Sequence, residues 1–344
     1  MFYLLKRSSI RSIIIGVNII TLLLLFTITA FSLGSEMKKS ARPINLDFYS
    51  GTLGGVGYTL GAIIAEYTTE IDPEINITVL PGSYIASIQI IDTKEGDIGM
   101  SSPIFYRPAM NGEEPFTQKF TSPKALGIFD GGQPSIFVLF MTRSDTGITS
   151  VEQIIENKIP LKLCVTTKGS AGEYISRRVM EECGLTYDNI LEWGGEISYV
   201  THTEAVDLIR DGHANAWFLV SGIAHGSTVE LTLARDMNFL NIDPEIINTL
   251  KTKFGYTKYD VAEGTFKNQD SIVSTVTYGS LLIVREDLPD DVAYILTKAV
   301  MENAEKIKEN FPAWPIYAPT AWENTLFPLH PGAEMWFREQ GFMK

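Results

Sequence analysis

Three short stretches of the chain carry the residue types that hold a small anion. Residues 47–64 read Asp-Phe-Tyr-Ser-Gly-Thr-Leu-Gly-Gly-Val-Gly-Tyr-Thr-Leu-Gly-Ala-Ile-Ile, residues 81–83 read Pro-Gly-Ser, and residues 166–173 read Thr-Thr-Lys-Gly-Ser-Ala-Gly-Glu. Glycine allows positive φ and close approach of main chain to a ligand. Each stretch leads into helical spacing, and a helix start offers unpaired N–H groups and a partial positive charge. The candidate contacts are Thr52, Gly54, Gly55 and Tyr58 in the first stretch, Gly82 and Ser83 in the second, and Lys168, Gly169, Ser170 and Gly172 in the third. Ser101, at the end of a short apolar strand, and Trp217 join them. Each has a plainer role open to it. A Gly-rich turn also serves to pack a helix on a sheet. Ser170 with Glu173 makes a capping box, Tyr58 and Trp217 are aromatics beside apolar runs and so suit a core as well as a stacking wall, and Lys168 suits a solvated rim as well as a carboxylate partner.

Other chemistries lack their residues. His202, His213, His225 and His330 have no metal spacing, no Gly-x-Ser-x-Gly elbow is present, and no Gly-Lys-Ser/Thr closes the first Gly-rich loop. Cys164 has no His beside it in sequence, so a nucleophile is not indicated. The sequence therefore predicts no catalytic residues, no metal and no cofactor. Cys164 and Cys183 are the two cysteines, placed near the ends of one strand–helix unit, and they read as buried thiols.

The elements that must position these loops alternate strand and helix. Apolar Ile44, Leu46 and Phe48 precede the first loop, with Leu60, Ile63, Ile64 and Tyr67 at helical spacing after it. Residues 75–80 form a strand running into Pro81-Gly82-Ser83, where Ser83 is an N-cap. Residues 98–100 form a third strand ending at Ser101-Ser102. Residues 135–142 and 214–220 read as buried strands, Ser150 with Gln153 and Asp243-Pro244 as helix starts, and residues 289–307 as a long helix. In open α/β sheets ligands sit beyond the carboxyl ends of strands.

The 344 residues suit about two domains of ~150 residues. A net charge of −13 argues against nucleic acid as a partner. At the start, Lys6, Arg7 and Arg11 precede an apolar run over residues 13–31, then Ser32, Gly34 and Ser35. This is an export signal, cleaved or kept as an anchor, which places the rest of the chain in the periplasm or otherwise outside the cytoplasm. Residues 1–34 are assigned to it and residues 35–43 to a polar linker. Lobe 1 is expected over 44–134 and lobe 2 over 143–272. Residues 135–142 and 273–284 cross between them as hinge strands, and residues 285–344 pack mainly on lobe 1.

The motifs resemble the TAXI-type solute-binding proteins of tripartite ATP-independent periplasmic (TRAP) transporters over nearly all of the exported part. The Gly-Gly-x-x-Tyr element falls within 51–61, with Tyr58 in the aromatic place. Gly82-Ser83, Glu95-Gly96-Asp97-Ile98-Gly99, Gly169-Ser170-Ala171-Gly172, Asn215-Ala216-Trp217-Phe218 and the Leu-His-Pro-Gly-Ala run at 329–333 follow in order. The resemblance implies an α/β fold of the periplasmic binding protein type II kind, two lobes around a central cleft. It also implies a monomeric receptor, not an enzyme, that captures a small-molecule solute such as a carboxylate or amino acid and delivers it to TRAP-type permease subunits. Ala86, Asn215 and Gly172 depart from the family pattern near the expected cleft, so the ligand of better-known relatives does not carry over. A membrane-anchored sensor of the same fold is the alternative, and an exported enzyme is disfavoured. His330 is read as structural.

Overall fold

Strand–loop–helix repeats dominate because each apolar run ends in Gly, Ser or Thr and the next residues switch from period 2 to period 3.6. A computed structural model describes residues 39–51, 56–129, 136–223, 225–310 and 316–344. The fold below lies within the compact unit Ala41–Lys344. The apolar run at 13–31 lies outside the described residues, and among the described residues no helix is long and apolar enough to cross a membrane.

The first lobe begins with β1 (Ile44–Tyr49), α1 (Val56–Ile71), β2 (Ile75–Leu80), α2 (Tyr84–Asp92), β3 (Ile98–Ser101), α3 (Tyr106–Asn111) and β4 (Lys124–Phe129). The second follows with β5 (Ile136–Arg143), α4 (Val151–Glu156), β6 (Lys162–Val165), α5 (Ala171–Glu182), α6 (Tyr187–Glu192), β7 (Glu196–Tyr199) and α7 (His202–Arg210). It continues through β8 (Ala216–Gly222), α8 (Gly226–Ala234), β9 (Met237–Leu240), α9 (Pro244–Phe254), β10 (Thr257–Val261) and β11 (Val273–Thr277). The chain then returns to the first lobe with β12 (Ser280–Val284), α10 (Asp290–Glu302), α11 (Ala304–Asn310) and α12 (Pro331–Glu339).

One sheet has the order β2-β1-β3-β12-β4 and the other β10-β11-β5-β8-β6-β7, with β9 also on β5. β1, β2 and β3 are mutually parallel, as are β6, β7 and β8, so each set ends at one edge. β5 lies wholly in the second sheet, paired with β8, β9 and β11. β5 covers the expected hinge stretch at 135–142 from residue 136 on, and residues 130–135, between β4 and β5, lie outside the described residues. Within 273–284, β11 pairs in one sheet and β12 in the other, with Tyr278-Gly279 between them.

The polar stretch at 35–43 ends inside the fold. The Arg42 side chain is buried, with Nε 3.2 Å from Asp72 and Nη2 2.9 Å from Asp291, both carboxylates also buried. The C-terminal helices complete the first core, where Val292, Leu296, Trp336 and Phe337 join Leu46, Phe48, Leu60 and Ile64. A second core runs from Ile88, Ile104 and Phe105 of the first lobe into Leu163, Val165, Tyr174 and Ile175 of the second.

Candidate functional site

The carboxyl edges of the parallel strands hold most of the residues singled out from sequence. In the first lobe, Ser50 follows β1, Gly82-Ser83 follow β2, and Ser101 ends β3. Ser83 caps α2, its Oγ accepting from Ala86 N at 3.2 Å. Gly82 is required by packing: a Cβ there would meet Ser50 O at 2.8 Å, and its N–H donates to Gly51 O at 3.0 Å. Ser101 is fully buried and donates to Tyr84 O at 3.0 Å, which serves the loop after Gly82-Ser83 and presents no free surface. Tyr58 is half-buried on α1, its hydroxyl donating to Val79 O at 3.2 Å. Thr52, Gly54 and Gly55 lie outside the described residues.

In the second lobe, β6 runs into Thr166–Ser170 and α5. Lys168 and Gly169 are exposed, and Gly169 has a φ of 77°. Gly172 sits in the first turn of α5, close to Thr166 Oγ1. Ser170 is the N-cap, its Oγ accepting from Glu173 N at 3.1 Å. The expected capping box is only half formed. The Glu173 carboxylate turns instead to Arg177 Nε, at 2.9 Å, and to the Tyr187 hydroxyl, at 3.1 Å. A serine oxygen that accepts one bond keeps its own O–H to donate, so the capping role of Ser83 leaves a donor for a ligand oxygen, while Ser170 Oγ also stands 3.4 Å from the Thr166 hydroxyl.

Trp217, expected at the cleft, lies in the core instead. It is fully buried on β8, a central strand covered on both faces. Trp217 and Leu219 point into the core holding Ala205, Val206 and Leu231, while Ala216 and Phe218 point to the opposite core. The period of 2 along the strand makes Trp217 a core residue beneath α7 and α8, not a wall of the cleft.

Sequence reasoning missed two features at the second edge. Tyr199 ends β7 and is exposed, with the Lys168 ammonium 5.5 Å from its ring centroid, a cation–π contact that holds the loop cation at the edge. The other is a histidine pair. His225 Nε2 stands 2.7 Å from His202 Nδ1, His225 Nδ1 stands 2.8 Å from Thr228 Oγ1, and Thr228 Oγ1 stands 2.9 Å from Ser221 Oγ. The rings begin α7 and α8 and are separated by 23 residues, so no local spacing announces them. Among the described residues no group of three His, Cys, Asp or Glu is placed to hold a metal.

Burial lowers the pKa of His202, and burial with the charge of His202 lowers that of His225 to about 4. The unfolded chain, with histidine near 6.5, therefore binds protons that the folded chain refuses. Stability is full above that value and falls as the pH drops from about 6.5 toward about 4. Discounted for the partly exposed ring, the loss is about 2 kcal/mol. Urea unfolding at stepped pH measures it, and His225→Asn should flatten most of the slope. An equally steep slope in that variant would place the proton uptake elsewhere.

Cys164 is buried and Cys183 half-buried, and both are free. Burial pushes each thiol up to about 12, so neither is a thiolate at neutral pH, the form a nucleophile requires. His330 is buried and caps α12, its Nδ1 accepting from Gly332 N at 3.2 Å.

The two edges meet within the unit: Phe105, just after β3, lies 5.7 Å ring to ring from Tyr174 in the second turn of α5. A cavity of about 390 Å³ also lies between the lobes, lined by Pro103, Ile128, Tyr256, Thr257 and Gly279 among others.

Two mixed α/β sheets, with β11 in one and β12 in the other and capped helix starts at their carboxyl edges, define a periplasmic-binding-protein fold. The chain is similar in structure to PhnD1 from Prochlorococcus marinus in complex with methylphosphonate, at 11% identity and a TM-score of 0.50, covering 87% of this chain and 98% of that one. It is also similar to MatC from Rhodopseudomonas palustris with bound malate, at 10% identity and a TM-score of 0.48, covering 88% and 98%. A third neighbour, the periplasmic binding protein BugD, stands at 14% identity and 0.43, covering 80% and 87%. At such identities the likeness is one of fold. The chain belongs to the NMT1-like family, whose model matches residues 48–341.

Proposed function

We propose that the protein is an extracytoplasmic receptor that binds a small organic anion, a carboxylate or an amino acid, between its lobes and hands it to a TRAP-type permease. The observation that carries this reading is the pair of serine-capped helix starts at the carboxyl edges of both sheets, with Lys168 beside one of them. N–H groups, serine O–H donors and one ammonium form a set suited to carboxylate oxygens through charge-assisted bonds. The candidate contacts are Thr52, Gly54, Gly55, Tyr58, Gly82, Ser83, Lys168, Gly169, Ser170 and Gly172. The motif order shared with TAXI-type receptors supports the permease partner.

A thermal-shift screen of the purified protein against amino acids, dicarboxylates, 2-oxo acids and phosphonates tests the reading. A solute at 100 times its dissociation constant adds about 2.7 kcal/mol, which shifts the melting midpoint by several degrees. Lys168→Ala should weaken a carboxylate hit by about tenfold, the worth of one partly exposed charge-assisted bond, while leaving the unliganded melt unchanged. A shift by uncharged solutes alone, or by none of these, would overturn the anion reading.

A further inference from the structure

The sequence-predicted capping box fails on its carboxylate side, and the partners that take that carboxylate form a continuous path across the lobes. Arg177 on α5 is 16% exposed and is shared by three carboxylates. Its Nε reaches Glu173 at 2.9 Å and its Nη1 reaches Glu181 at 3.2 Å, both on its own helix. Its two terminal nitrogens also meet both oxygens of Glu114, at 3.2 and 2.5 Å. Glu114 belongs to the first lobe, in the excursion between α3 and β4. Two parallel N–H···O bonds are the strongest and most directional form of this pair. Near it, Phe105 packs on Tyr174, and Arg107 Nη1 donates to Lys253 O at 3.4 Å.

From Arg177 the path continues toward the solute loop. Arg177 and the Tyr187 hydroxyl both hold Glu173 Oε1. The Tyr187 ring lies edge-on to Tyr199 at 6.0 Å, and Tyr199 carries the Lys168 ammonium over its face. Glu173 N–H is the donor that Ser170 Oγ caps. One carboxylate thus ties the first turn of α5, the β7 end and the opposite lobe together.

We propose that Glu114 and Arg177 form an interlobe latch and that Arg177 is a positioning residue for the Lys168–Ser170 loop, acting through Glu173, Tyr187 and Tyr199. The proposal rests on the solute-receptor reading for its purpose, but its test uses no solute. Closure of the lobes makes the Glu114 bonds and fixes Arg177. A fixed Arg177 holds the Glu173 carboxylate away from the cap and seats Tyr187 against Tyr199. Opening leaves Arg177 with Glu173 and Glu181 on its own helix, so the lobe that keeps the arginine does not strand a charge.

Hydrogen–deuterium exchange of the full-length chain tests the latch. Glu114 is 61% exposed, so Glu114→Gln removes its charge without opening a core. The expected result is exchange about fivefold faster in residues 103–120 and also in residues 166–174, on the scale of a well-formed surface pair. Helix α10, remote from the path, should be unchanged, and Glu114→Asp should restore most of the protection. Raising the salt to about 1 M, where the Debye length falls to about 3 Å, should bring wild type toward the Glu114→Gln pattern and leave that variant unmoved. Faster exchange confined to 103–120 would overturn the coupling to the loop. No change in either segment would overturn the latch itself. Neither result bears on whether a carboxylate shifts the melt, so the solute reading stands or falls separately.

Discussion

Arg42→Ala should cost about 3–5 kcal/mol, the loss expected when one partner of a buried ion network is removed. Arg42 precedes β1 and reaches Asp72, just after α1, and Asp291, in the first turn of α10. Its side chain is 5% exposed and those of the two aspartates 8% and 7%, so truncation leaves two carboxylates with little access to water. Asp72 also accepts from Glu74 N at 3.1 Å, which holds its carboxyl in place to suffer the loss. For a fold of this size the melting midpoint should drop by roughly 10 °C. Chemical denaturation of wild type, Arg42→Ala and a triple variant, Arg42→Met with Asp72→Asn and Asp291→Asn, separates the charge effect from lost packing. Replacing all three groups should recover most of the stability, because a buried ion triad is worth little against neutral groups that fill its space. If the triple variant is as unstable as Arg42→Ala, the ion network itself and not the packing of the arginine stem pins β1 to the two helices.

Arg42 also shows where the sequence stops being legible. Its neighbours Lys38, Lys39 and Ser40 read as a tether, and nothing local separates a solvated arginine from one whose partners lie 30 and 249 residues away. The same holds for His202 with His225 and for Glu114 with Arg177, pairs that exist only once strands are ordered. What reads well is local. The Ser83, Ser150, Ser170 and Asp243 caps all form as their spacing predicts. The strand–Gly/Ser–helix units place Gly82-Ser83 and Gly169-Ser170 at carboxyl edges, as parallel pairing demands. Trp217 lies between these cases. Alternation along β8 tells which residues share a face, but which face looks to a helix layer and how far each position lies from the strand's end depend on the other strands. The Glu173 carboxylate is a further intermediate case, because the capping-box pattern is met and then outbid by an arginine that answers to the other lobe.

Gly332→Ala, a single methyl, should destabilise the fold by about 3 kcal/mol or more, at the upper end of overpacking. Gly332 lies in the Leu-His-Pro-Gly-Ala run, whose Leu329 bridges to Ala125 of β4 and whose His330 N–H donates to Ala125 O at 2.9 Å. That pairing fixes where α12 begins, and the helix starts directly against the first turn of α10. A Cβ on Gly332 would stand 2.1 Å from Asp290 O, 2.8 Å from Tyr294 N and 2.9 Å from Ala293 Cβ. Two of these atoms are backbone and the third is a Cβ, so no rotamer change relieves the overlap. Relief requires α12 to move, and α12 carries Trp336 and Phe337 into the first-lobe core. Gly226→Ala is the matched control, since its Cβ would meet nothing within 4 Å and its φ lies outside the left-handed region. It should change stability by no more than about 0.5 kcal/mol. Unfolding free energies of the two variants from denaturant titration, with slopes checked for two-state behaviour, should differ by several kcal/mol. Equal midpoints would mean that α12 slides on α10 at little cost, and that the glycine of this run is held by something other than helix contact.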